Sequence, residues 1–175
     1  CNVNAFFVPT LEIAMMVSKY KNSILKFNPR SYLDLAAGSV NSEIANSIIN
    51  INSNEFALFN NGITMLSNNT QHSDSVGRKN RAEVIVKNPQ IINGGQTAYT
   101  LSVLYDRYIQ EKKSLNVFEN KEVLLKIITF NDENVDSEKR LKLVEAISKA
   151  TNQQSPVNEA DRRANDKVQI ELQKA

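Results

Sequence analysis

A single cysteine and a single histidine in 175 residues remove whole classes of chemistry. Cys1 has no internal partner for a disulfide, which suits a reducing compartment. A structural zinc site draws four ligands mostly from Cys and His, so none is expected. The histidine, His72, sits in the polar segment Asn68–Ser75, which reads as an exposed loop, and is expected to be solvated rather than catalytic. Long apolar runs are also missing: nothing approaches the ~20 residues of a membrane-spanning helix. The start, Cys1-Asn2-Val3-Asn4-Ala5-Phe6-Phe7, has neither an initiator Met nor a basic region before an apolar one, so it is no signal peptide. The end, Leu172-Gln173-Lys174-Ala175, breaks off inside a helical pattern. Both ends read as those of a piece cut from a longer cytoplasmic polypeptide.

Catalytic signatures are equally scarce. No Gly-x-x-x-x-Gly-Lys-Ser/Thr, no Gly-x-Ser-x-Gly and no Ser-His-Asp set occurs. Glu111-Lys112-Lys113 and Glu119-Asn120-Lys121 contain the Glu-x-Lys of a metal-nuclease core, but at a helix end and in a loop, without an aspartate on an adjoining strand. They read as chance matches. Enzyme activity is neither indicated nor excluded, and no metal ligands are visible. The net charge of +2 is too mild to diagnose nucleic-acid binding.

What is present is a soluble-protein pattern long enough for one domain with a sizeable core. Ala5–Pro9 reads as a short strand, and apolar residues from Leu11 to about Phe27 recur at helical spacing until Asn28-Pro29-Arg30. Asn41 is placed to cap a helix through about Ile51. Glu55–Leu58 reads as a strand running into Asn60-Asn61-Gly62, with Ile63–Leu66 returning. Asn-Gly between apolar runs is a strong hairpin signal. A polar loop over 67–80 is expected next, then strands at 82–87, 90–92 and 122–130 and helices at 97–113, 137–150 and from Glu159 onward. The fold class is therefore α/β or α+β, a mixed sheet with packed helices. Residues 1–175 are read as a single domain, with an N-terminal lobe at about 5–66 and a core lobe at about 82–165.

The most informative stretch is Val84–Thr97. A β-branched run stops at Asn93-Gly94-Gly95, and a helix pattern starts at once behind it. Strand, glycine turn, helix is the order that aims backbone N–H groups at an anion, and Gln96 and Thr97 add an amide and a hydroxyl. The structural alternative is that the glycines only turn the chain and Thr97 only caps the helix. Asn152, Gln153 and Gln154 likewise read either as a helix end or as amides facing the first turn. Asn60 and Asn61 read chiefly as hairpin residues. If an anion binds, Arg30 is the basic residue expected to join it.

Five blocks in one order carry a resemblance: Asn28-Pro29-Arg30-Ser31-Tyr32-Leu33, Asn41-Ser42-Glu43-Ile44-Ala45, Phe59-Asn60-Asn61-Gly62-Ile63-Thr64, Asn88–Thr97 and Ala150-Thr151-Asn152-Gln153-Gln154. Together they closely resemble the AIPR family of bacterial abortive-infection phage-resistance proteins, over about Phe6–Asp161. The resemblance implies a role in defence against phage or foreign DNA and names no reaction. The turns at 93–97 and 151–155 also resemble the phosphate-binding turns of the ParB N-terminal and sulfiredoxin-like domain. That likeness implies a core of that type in the second half. Asn93 and Gly94 match its Asp-Gly, Asn152 matches the asparagine of its second motif, and Pro156 and Glu159-Ala160 match its tail. Thr97 and Ser155 stand where arginines are expected, and Thr151 replaces an acid.

Three functional readings follow. In the first, a defence module binds a nucleotide, with Mg²⁺ in attendance, or a nucleic-acid phosphate such as that of DNA, through the two turns. In the second, a nuclease or nucleotide-hydrolysing enzyme has its remaining charges outside these residues. A structural module of a homo-oligomer is the third, because Phe6-Phe7-Val8 could lie on an exposed sheet edge. Other domains of the same chain are expected partners; a membrane is not.

Overall fold

The computed structural model describes residues 2–26, 42–50, 55–73, 83–130 and 137–152. Among the described residues the main sheet has four strands: β1 (Asn2–Pro9), β2 (Ile63–Ser67), β5 (Gln90–Asn93) and β6 (Glu122–Thr129), in the order β1-β6-β2-β5. The central pair β6 and β2 is parallel, and each flanking strand is antiparallel to its neighbour. A separate antiparallel ribbon joins β3 (Asn69–Ser73) to β4 (Glu83–Lys87). The fold is thus the expected mixed α/β arrangement.

Helices cover both faces of the sheet. Helix α1 (Thr10–Tyr20) starts directly behind Pro9, and its buried residues Thr10, Ile13, Ala14 and Val17 recur at the spacing of one helical face. It packs against α4 (Gly95–Gln110), which contributes Ala98, Leu101 and Leu104. Beneath them lie Ile63, Met65, Ile91, Val123, Leu125 and Ile127. The alternate residues Leu66, Ile92 and Ile128, with Phe130, face the opposite way, against Val144 and Ile147 of α5 (Ser137–Asn152). All five residues of β2 are buried, as a strand covered on both sides requires.

Several expectations need correction. The helix expected to reach Phe27 stops at Tyr20, where Lys21 takes a left-handed backbone (φ 46°) and its N–H returns to the Val17 carbonyl. Ile24 and Leu25 are buried, but from the turn beyond a short 3-10 segment (Lys21–Ser23). Helix α2 (Ser42–Asn50) forms as expected, and Asn28-Pro29-Arg30 lies outside the described residues. No hairpin forms at Asn60-Asn61-Gly62. The segment before it is one helical turn, α3 (Phe56–Phe59), with Phe56 in the core. A type I′ turn needs positive φ at both central residues; Gly62 has φ 77° while Asn61 has none. The expected loop over 67–80 begins as β3, so His72 is an exposed strand residue paired with Val84.

The ribbon is tied to the sheet by a buried hydroxyl. Ser67 is fully buried; its Oγ shares its one proton between the Asn69 and Lys87 carbonyls (2.6 and 3.1 Å) and accepts from the Asn69 N–H. The hydroxyls of Thr70 and Thr129 meet at 2.7 Å. A polar strand such as Asn69–Ser73 is thus held by backbone pairing and hydroxyl contacts, which periodicity does not register.

Candidate functional site

The Asn93–Thr97 turn follows from how β5 ends. The β2–β5 register pairs Met65 with Ile91 and Thr64 with Asn93, so Ile92 is an extra residue that turns inward. Asn93 then takes the Gly94 N–H on its Oδ1 at 2.7 Å. Gly94 caps α4 in the left-handed region (φ 76°), and its carbonyl accepts the first helical bond, from Ala98 at 3.0 Å. In the first turn Gly95 and Thr97 are buried, and Gln96 is exposed. Thr97 is not the cap: it is the third residue of α4, and the cap position belongs to Gly94, which has no side chain to bond the first turn.

The hydroxyl of Thr97 is used elsewhere. Asn60 donates from its Nδ2 to Thr97 Oγ1 at 3.0 Å and accepts the Gly62 N–H on its Oδ1 at 3.0 Å. The Asn60-Asn61-Gly62 turn is therefore fastened to the start of α4, a partnership that a hairpin reading conceals. Both positive-φ glycines serve this contact. A Cβ on Gly94 would stand 2.9 Å from Ile63 Cα and collide with the Gly62 carbonyl; one on Gly62 would come within 2.7 Å of the Leu124 carbonyl. The close neighbour that Gly94 admits is thus the chain's own backbone.

The remaining expected site residues are placed as follows. Asn61 is exposed, and Asn60 and Asn93 are half-buried, so these two turns supply one cluster of amides. Asn152 is the last residue of α5, a helix that packs on β5, the strand that ends in Asn93. The helix expected over 137–150 runs two residues further, through Asn152. Gln153, Gln154 and Arg30 lie outside the described residues.

Ionisable groups play other parts. Glu111 and Lys113 form an exposed ion pair just past α4; each side chain's hydrogen bond to the other lowers the acid's pKa and raises the lysine's. Lys121 is buried beside β6, its Nζ donating to the Val117 carbonyl at 2.6 Å, and burial lowers its pKa. Both Glu-x-Lys strings thus have structural employment. Among the described residues, no three His, Cys, Asp or Glu side chains gather as metal ligands. No described helix is long and apolar enough to cross a membrane.

The family model described as AIPR protein matches residues 25–175, which takes in both turns of the cluster. The chain belongs to the AIPR family. Membership suggests a part in bacterial abortive infection, the antiphage defence from which the family takes its name. The AIPR match starts after β1 and α1, although β1 pairs with β6 along all eight of its residues. No curated protein and no solved structure matches the chain.

Proposed function

We propose that this AIPR chain is a cytoplasmic module of an antiphage defence protein that binds a nucleotide, or a nucleic-acid phosphate, at the start of α4. The supporting observation is the Asn60–Thr97 bond, which holds a second amide-rich turn against that helix end. The first turn of a helix directs N–H groups away from its own carbonyls and carries about half a positive charge. Gln96 and Asn61 stand exposed there, where amides can meet phosphate oxygens. Such a site has little formal charge of its own, so a triphosphate would arrive with Mg²⁺.

The test is thermal unfolding of the 175-residue chain with adenine and guanine nucleotides, with and without Mg²⁺, and with short DNA. A ligand at ~100 times its Kd stabilises by about 2.7 kcal/mol. For a domain of this size that is a shift of roughly 5–10 °C. Gln96→Glu separates binding from architecture. An acid in the first turn leaves the free protein as stable or steadier by about 0.3–1 kcal/mol, but repels phosphate and should weaken binding at least tenfold. Absence of any shift across the ligand set would remove the proposal.

A further inference from the structure

Strand β1 is an edge, and its chemistry differs from that of edges that stay single. Its outer side has no paired strand among the described residues, because the sheet order ends there. Side chains alternate: Asn4, Phe6 and Val8 are half-buried, and Val3, Ala5 and Phe7 are exposed, Val3 at 60% and Phe7 at 62%. Across β6 the exposed row meets Ile128, Lys126 and Leu124. Soluble proteins guard such edges with lysine, proline, a bulge or a short length. Here eight residues run in unbroken register with β6, none is charged, and the proline stands at the last position.

We propose that β1 pairs antiparallel with β1 of a second copy of this chain, joining two four-stranded sheets into one of eight. The strand is self-complementary about Ala5. A two-fold axis there sets Val3 of each copy opposite Phe7 of the other and Ala5 opposite Ala5, so the exposed row becomes continuous and apolar. Charge favours a second copy over a charged partner segment. The strand brings no charge to the seam, and Lys126, the lysine opposite Ala5, lies one strand further in on each side. The two lysines would then stand about 14 Å apart, at the ~4.8 Å strand spacing, beyond the Debye length of ~8 Å in physiological salt.

Sedimentation velocity of the 175-residue chain from 1 to 100 μM, concentrations chosen as roughly the range of weak edge pairing, is the first measurement. A concentration-dependent dimer is expected. Val3→Lys with Phe7→Lys places like charges across the two-fold and should raise the dimer Kd at least tenfold, with circular dichroism unchanged because both sites are exposed. Val3→Glu with Phe7→Lys places opposite charges there and should restore the dimer. Ala5→Cys in a Cys1→Ser background should form a disulfide-linked dimer on oxidation, since paired antiparallel residues have Cα atoms about 4.5–5.5 Å apart. A monomer at every concentration overturns the proposal. So does a dimer indifferent to the double-lysine change.

Discussion

At the scale of single residues, Gly94 and Thr97 show how a sequence motif divides between architecture and chemistry. The left-handed backbone of Gly94 and its contact with Gly62 and Ile63 make alanine unfavourable on two counts. Gly94→Ala should cost about 2 kcal/mol, from strain and displacement of the neighbouring turn. Urea unfolding would read this as a lower midpoint at unchanged m-value. Thr97→Val removes the acceptor for Asn60 and should cost about 1–3 kcal/mol, because the half-buried amide loses its partner. Lys121 adds a pH dependence. Burial lowers its pKa, so the folded chain holds that proton less tightly than the unfolded chain does. The penalty is full below the folded value and is relieved as pH rises from there toward the ordinary lysine value of about 10.4. Stability measured across the alkaline range should carry a rising component that disappears in Lys121→Met.

At the scale of elements, the contrast between β3 and β2 explains what could be read beforehand. Ile63–Ser67, Glu122–Thr129 and α4 announce themselves by apolar spacing, because packing on the core is what forms them. Asn69–Ser73 has no such spacing; its place depends on Lys87 and Ser67, and one of these lies far along the chain. The Phe56–Phe59 turn was legible as apolar but not as helical, since four residues show no period. The Asn93–Thr97 turn was visible as strand, glycine and helix, whereas its bond to Asn60 spans 37 positions and leaves no local trace. Ser67→Ala tests the element-level account. It should loosen the ribbon without unfolding the sheet, so amide exchange should quicken at Asn68 and Asn69 while β6 stays protected.

At the scale of the whole molecule, two cores lie on opposite faces of the same strands. Val144 and Ile147 cover Leu66, Ile92, Ile128 and Phe130, while α1 and α4 cover the other face. Ile92→Ala should cost about 2–5 kcal/mol. The same change should release α5 from β5 before the α1–α4 side opens, which exchange measured on the two helices would resolve.

The position of β6 between β1 and β2 has a consequence for how the chain is born. Asn2 is paired with Thr129 and Ser67 with the same residue, so neither early strand has a neighbour in the main sheet until the last strand of that sheet has left the ribosome, apart from the short β2–β5 pair. At synthesis rates of about 5–20 residues per second, β1 waits roughly 6–24 s for its partner. Throughout that interval an uncharged apolar strand stands unpaired among other nascent chains. Growth of the polypeptide, rather than the intrinsic speed of pairing, then sets when this sheet closes.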